Sequence, residues 1–379
     1  MVDFTLSEEQ QMIRDTAREF ADKELAPNAG RWDKERQFPK EAIGQAAELG
    51  FLAVTIPEAY GGSQLGNVTL CMLLEEINRG CASTGVTISV HNSLFCSPIV
   101  KHGTEEQKQR YLPKMATGDW LGGYALSEAG AGSDAAGLRC AATKDGDDWI
   151  LEGSKLWITS GSVADVFIIF VRTGEDRVGG ISAFIVEKTM EGFGVGKKEE
   201  KLGIRASPTT ELVLDKVRVP AANMLGAEGA GFKIALDTLD GGRLGIASQS
   251  LGIGRACLEA SIQYANQREQ FGRPIGRFQA IQWKISDMAT ALDAARLLTW
   301  RAADLRDRKL SCTREAAQAK LLASRSANDA AREAVQIHGG AGYTREFPVE
   351  RYMRDARITE IYEGATDIQR LVIARNLLG

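Results

Sequence analysis

The chain has 379 residues, 44% hydrophobic and 25% charged, the composition of an ordinary soluble globular protein long enough for two or three packed units. Forty-six Lys plus Arg against 50 Asp plus Glu give a net charge of −4, so no global positive field recruits nucleic acid or an anionic membrane. Six cysteines without a C-x-x-C pair, three histidines (His91, His102, His338) without H-x-x-x-H spacing, and no serine in a G-x-S-x-G setting exclude the usual signatures of a disulfide framework, a zinc site and a hydrolase elbow.

The opening MVDFTLSEEQ is acidic and polar, so it reads as neither a secretory nor a mitochondrial leader. The expected location is the bacterial cytoplasm or, for a mature chain, the mitochondrial matrix. Ser7 with Gln10 is a capping-box pattern, and Met12, Ile13, Ala17, Phe20, Ala21 and Leu25 recur at helical spacing until Pro27, where the helix is expected to stop. A second helix is predicted from about Pro39 to Gly50, and a third from Thr104 with Gln107 as its box partner. After about residue 120 the text becomes short strand-like runs: Trp149 to Leu151, Leu156 to Thr159, Val166 to Val171, Ile181 to Val186, and Leu212 to Val219, closed by Pro220. Asp145-Gly146-Asp147 and Gly179-Gly180 fit hairpin turns. Beyond Gly231 helical periods return, broken at Gly272 to Gly276, Lys309 to Cys312 and His338 to Gly342, as an antiparallel bundle requires. The predicted division is a helical domain over 1–120, a β-domain over 121–228 and a helical bundle over 229–379.

Six motifs stand out, each with a plain structural meaning beside a functional one. Ser127 to Ala135 contains a formal G-x-G-x-x-A match, but no helix is predicted to follow, so a dinucleotide fingerprint is rejected. Its glycines instead allow a turn, or a loop whose N–H groups and hydroxyls face phosphates or a ring edge. Trp157 and Thr159 alternate on one strand face, either as core or as a shelf flanking a planar ring. Asp240-Gly241-Gly242-Arg243 is read as opening a long helix, as an ordinary ion-paired start or as a site of close ligand approach with Arg243 as a fork-shaped donor. Arg268 to Arg273, followed by Phe278-Gln279, is either a solvated turn or a diphosphate contact, and Gln336 to Gly342 either a helix C-cap or another close approach. Glu363 lies between an aromatic and a glycine, as an exposed loop residue or as a general base whose pKa an apolar setting raises. Thr366 with Gln369 matches a capping box, placing Glu363 just before the last helix.

Taken together and in this order, the motifs resemble the acyl-CoA dehydrogenase family over essentially the whole chain, from SEEQQ to LVIARNLLG. Segments such as Cys81 to Val86, Ser89 to Leu94, Gly245 to Gln249 and Asp355 to Gly364 resemble its short-chain, butyryl-CoA branch most closely. The resemblance implies an α+β fold of an N-terminal helical domain, a middle β-barrel-like domain and a C-terminal four-helix bundle. It implies a homotetramer whose FAD site is completed across subunits.

By the same resemblance, Glu363 is the base that removes the α-proton of a short-chain acyl-CoA. The β-hydride passes to flavin N5, giving a trans-2-enoyl-CoA, and electrons continue to an electron-transfer flavoprotein. Leu126, Ser127, Gly132, Ser133, Trp157, Ile158 and Thr159 match flavin contacts within the chain, and Arg268, Phe271, Gln279, Gln336, Gly339 and Gly340 match contacts across subunits, completed by Thr366 and Asp367. Ser133, Asp240, Arg243, Tyr362 and Gly364 match the acyl-CoA site. No metal is implied.

Three departures qualify the likeness. The loop reads SEAGAGSD where short-chain members commonly read SEPGNGSD, so Ala129 and Ala131 are expected to loosen it. Gly242 occupies the position where the isovaleryl and long-chain branches place their base, which leaves Glu363 as the candidate. The absence of arginine in Thr84 to Leu94 argues against a dicarboxylic acyl group. The alternative within the class is a branched, medium-chain or alicyclic acyl-CoA. Outside it stands a non-enzymatic or DNA-binding member of the fold, which the charge balance and Glu363 disfavour.

Overall fold

The structure, a computed structural model, describes residues 5–379. The reading of the N-terminus as no leader falls partly on residues 1–4, outside the described residues. Helix α1 (Glu8–Phe20) opens on the expected capping box: Gln10 N donates to Ser7 Oγ and Ser7 N to Gln10 Oε1, both at 3.1 Å. The run does not stop at Pro27. A π-helical stretch over Ala21–Leu25 leads into α2 (Ala26–Glu35), whose first turn contains Pro27, where a missing N–H costs little. The chain instead breaks at Arg36, which takes a left-handed φ of 54°.

Helices α3 (Lys40–Glu48), α4 (Gly66–Gly80), α5 (Ala82–Ser89) and α6 (Ser97–His102) follow, then α7 (Glu105–Ala116), which carries the Thr104–Gln107 capping box. Helix α5 and the π-helical segment Val90–Cys96 are buried along their whole length, which explains why no amphipathic period marks them in the sequence.

The middle of the chain forms β1 (Gly122–Ala125), β2 (Ala141–Asp145), β3 (Asp148–Thr159), β4 (Val166–Arg172), β5 (Ile181–Glu187), β6 (Phe193–Lys198), β7 (Thr209–Pro220) and β8 (Met224–Leu225). Among the described residues these make one eight-stranded sheet, in the order β6-β7-β3-β2-β4-β5-β8 with β1 added beside β4. The pairs β2–β3 and β4–β5 are the expected hairpins, but β1 and β4 pair in parallel, so the sheet is mixed. The two runs 149–151 and 156–159 are halves of one strand. Register shifts at Leu151/Gly153 and Lys155/Ile158 interrupt the alternation that would have joined them. Strands β4 and β5 are buried on both faces over their first six residues, so they read as apolar runs rather than alternating ones.

The last part holds α8 (Gly231–Gln267), a small hairpin of β9 (Glu269–Gln270) and β10 (Arg273–Pro274), and helices α9 (Gln279–Asp307), α10 (Thr313–His338), α11 (Val349–Arg357) and α12 (Thr366–Leu378). Helix α10 turns a stripe of Ala316, Ala319, Ala323, Ala327, Ala330 and Ala334 toward its neighbours, each at most 1% exposed, and such small side chains allow close helix approach. Asp240 to Arg243 do not open α8 as expected but lie inside it. The two glycines are tolerated in mid-helix because their bare faces are occupied from outside, Gly241 by the Arg306 guanidinium and Gly242 by the side chains of Glu363 and Leu94.

Candidate active site

Glu363 sits in the turn between a short 3-10 segment (Ile358–Glu360) and α12. Both it (φ 50°) and Gly364 (φ 94°) are left-handed, a conformation that costs a non-glycine residue about 1 kcal/mol or more and persists only where neighbours enforce it. The enforcement is visible. Lys320, fully buried on α10, donates from Nζ to the Gly364 carbonyl at 2.7 Å, and Gln369 Nε2 donates to the same oxygen at 2.8 Å and to Glu363 O at 3.4 Å. A side chain at Gly364 would overlap Gln369 Nε2, so glycine is required there. The expected Thr366–Gln369 capping box does not form. Ala365 is the N-cap without a side-chain bond, Thr366 Oγ1 donates to Glu360 O at 3.2 Å, and Gln369 is drawn away to hold the turn.

Glu363 Oε2 is sealed from solvent with no hydrogen-bond partner. It faces Gly242 and Leu94, beside an apolar cluster of Val86, Val90, Leu94 and Ile204 against which Tyr124, Ile358 and Tyr362 pack. Burial raises its pKa to about 7, opposed by the positive charges of Lys320 and then Arg243. Arg243 pairs with Asp240 at 2.5 Å, and Asp240 also accepts from Thr313 Oγ1 at 2.6 Å. This pair is buried, and Arg243 Nε is left without a partner. Tyr362 Oη donates to Gln249 Oε1, while the Tyr124 hydroxyl is buried and unpartnered. The plain reading of Glu363 as an exposed loop carboxylate therefore fails.

This burial has a consequence for stability. A carboxyl whose pKa is raised on folding binds its proton more tightly in the folded state, so its ionisation costs stability as pH rises from about 4.5 to about 7. Glu363→Gln is thus expected to be more stable than the native protein at pH 8, by about 3 kcal/mol at most, and to lose that advantage at pH 4. Thermal melts at the two pH values check it.

A second constellation surrounds the glycine loop. Glu128 accepts from Arg139 N at 2.6 Å, Cys140 N at 3.0 Å and the fully buried Lys155 Nζ at 2.7 Å, and Lys155 also reaches the Leu126 carbonyl. Leu156 N donates to Ser127 O at 2.9 Å, tying the loop to β3. Of the two alanines expected to loosen the loop, Ala131 is 1% exposed and exchanges backbone hydrogen bonds with Glu128, while Ala129 is exposed. Gly130, Gly132 and Ser133 face outward, and nothing lies near the bare faces of the two glycines.

Beside this loop Trp157 is 57% exposed on a left-handed φ of 59°, Ile158 is buried and Thr159 half-buried. Trp157 is no core residue; it is a bare aromatic shelf next to an open glycine loop. The buried hydroxyls of Ser160, Ser207 and Thr210 nearby in the β3–β7 region lack partners. An uncovered ring, open backbone and unpaired hydroxyls suit a planar, phosphate-bearing cofactor.

The remaining candidates gather at the far end of the bundle. Arg268 N donates to Tyr264 O at 2.8 Å, and Tyr264 stacks on His338 at 4.2 Å, which brings the β9–β10 turn and Gly339-Gly340 to the same end. Phe271 at the tip is 93% exposed, and Arg268, Gln279, Gln336, Gly339 and Gly340 are exposed as well. Asp367 is solvated and paired with Arg370 at 2.7 Å.

Lys320 and Lys155 were not among the residues expected to matter, and Gln369 was expected only as a capping partner. The signal for Lys320 is a charge where the pattern wants an apolar residue: it falls on the buried stripe of α10, flanked by Ala316, Ala319 and Ala323.

The site combines a buried, unpartnered carboxylate beside an apolar cluster with a separate, exposed aromatic shelf, the arrangement of an enzyme that works with a bound planar cofactor. The chain belongs to the acyl-CoA dehydrogenase family, whose N-terminal, middle and C-terminal domain models match residues 7–119, 123–217 and 229–378. It is 51% identical to the mitochondrial short-chain specific acyl-CoA dehydrogenase of Rattus norvegicus over 98% of this chain and 91% of that one. The solved butyryl-CoA dehydrogenase of Megasphaera elsdenii superposes with a TM-score of 0.98 at 43% identity, covering both chains fully. A chain from work on the electron transferring flavoprotein of Acidaminococcus fermentans matches equally well, with a TM-score of 0.98, 46% identity and full coverage of both.

Proposed function

We propose that the protein oxidises a short-chain, butyryl-like acyl-CoA to its trans-2-enoyl thioester with Glu363 as base. The observation that carries this reading is the unpartnered, buried Glu363 Oε2 on an enforced left-handed turn beside a small apolar cluster. A carboxylate stripped of hydrogen bonds and raised toward pH 7 is matched to removing a weakly acidic α-proton. FAD held at the shelf of Trp157, Ile158 and Thr159 and the loop Leu126 to Ser133 supplies the acceptor for the β-hydride and its electron pair.

The chain's own residues do the rest. Glu363 takes the proton on its carboxylate, and the apolar wall excludes water from the thioester. Gly364 supplies the left-handed turn that sets the base, Tyr362 closes the wall, and Asp240, Arg243, Gly364 and Ser133 serve the acyl-CoA. The domain boundaries that go with this reading are 1–120, 121–228 and 229–379. The exposed far-end set, Arg268, Phe271, Gln279, Gln336, Gly339 and Gly340, reads as the part of the FAD site donated to a neighbouring subunit of a homotetramer, and Thr366 and Asp367, at the start of α12, as residues that complete the site. An electron-transfer flavoprotein is the proposed acceptor, in keeping with the Acidaminococcus match. No described helix is long and apolar enough to cross a membrane. Similar proteins come from mitochondria and from bacteria, and the matrix or a bacterial cytoplasm is the proposed location.

A turnover series from acetyl- to octanoyl-CoA tests the substrate, and kcat/KM is expected to peak at C4. A maximum at a branched or longer acyl group overturns the chain-length reading. Arg268→Ala is expected to release FAD and lower the oligomeric state together. Unchanged flavin content and elution volume in gel filtration would remove the cross-subunit role.

A further inference from the structure

We propose that Lys320 is a positioning residue for the dehydrogenation, its buried ammonium both holding the Glu363–Gly364 turn and supplying a positive charge against the base. The inference rests on Glu363 being that base. A lysine at 0% exposure inside an alanine stripe forfeits its hydration, and one hydrogen bond to a neutral carbonyl does not replace it. Packing gives no reason for a charge at this position, since alanines above and below it fill the same helix face. Geometry does. Lys320 Nζ binds the carbonyl of Gly364, the residue directly after Glu363, in a turn where both of these residues are left-handed.

Two tethers converge on that carbonyl, Lys320 and Gln369, so the turn keeps one donor when the other is lost. Only Lys320 adds charge. The charged and titratable groups around the base are Lys320 from α10, Arg243 with its partner Asp240 from α8, Tyr124 from β1, and Tyr362 and Glu360 from the turn itself. Among them the two cations oppose the burial of Glu363, Lys320 more than Arg243. Arg243 is already neutralised by Asp240 at 2.5 Å, whereas Lys320 has a peptide carbonyl as its hydrogen-bonded partner. Burial lowers the Lys320 pKa to about 8, and the charge of Glu363 is the first of those that raise it again.

Two variants separate tether from charge in the holoenzyme. Lys320→Gln keeps a donor for Gly364 O and loses the charge; Lys320→Met loses both. The acid limb of the kcat/KM profile with butyryl-CoA is expected to move up by about one pH in both variants, because the ionised base has lost its nearest counter-charge. Hydrogen exchange of the 360–366 backbone, read on the same samples without turnover, is expected to quicken in Lys320→Met and stay near native in Lys320→Gln. A limb that stays at the native pH in both folded variants overturns the proposal, even if activity falls. Should Lys320→Met not fold, Lys320→Gln alone decides the charge and an unmoved limb rejects it. A native-like rate in Glu363→Gln would instead defeat the assignment of the base, and is read independently of either lysine variant.

Discussion

Glu363→Gln is expected to retain its FAD and its fold while turnover of butyryl-CoA falls by about 10⁴-fold, the upper end of what a positioned base contributes. The amide keeps the shape of the carboxyl and the contacts of the turn, since the Lys320 and Gln369 bonds go to main-chain oxygens rather than to the side chain. What it removes is the acceptor for the α-proton. Among the described residues the neighbouring carboxylates are engaged: Gly242, opposite Glu363 Oε2, carries no side chain, Asp240 is held by Arg243 and Thr313, and Glu360 is paired with Arg357. Anaerobic stopped-flow of the visible flavin band separates the outcomes, and a rate within tenfold of native contradicts the assignment.

Gly242→Ala is the second large effect expected, and it arises from a single methyl group. Built on the backbone of α8, that methyl would overlap Glu363 Oε2 and sit 2.9 Å from Leu94 Cδ2. Backbone on both sides is fixed by helix and by the tethered turn, so the carboxylate is the part that yields. Displacing a base by about 1 Å costs on the order of 10²-fold in rate. Alanine is the better helix former by about 1 kcal/mol, which offsets part of the crowding, so the fold is expected to survive. The check is kcat with unchanged flavin content. Native kcat in Gly242→Ala would mean that the carboxylate works from a different position.

The placement of Glu363 on a turn before the last helix was legible from the Thr366–Gln369 pattern, and it holds although the capping box itself does not form. Its burial was not legible, since that depends on α8, β1 and the segment around Leu94, all distant in sequence. The Thr366–Gln369 pair shows the limit of local patterns: the capping box is a valid local signal, but the Gly364 carbonyl offers Gln369 a better partner. Asp240 to Arg243 misled in a similar way. Paired glycines read as a helix boundary, yet here they are a notch inside α8 for another element's side chain. The order of helices, sheet and bundle survived such errors because it rests on many residues of one period. Lys320 escaped notice because a lone lysine in helical text normally lies on a solvated face.

The most direct test is a visible spectrum of the purified protein, taken before and after anaerobic addition of butyryl-CoA to native enzyme and to Glu363→Gln. A flavin band in both, bleached by the thioester only in the native enzyme, is the predicted result. Bleaching of both, or of neither, would contradict the account that Glu363 is the base of a short-chain acyl-CoA dehydrogenase.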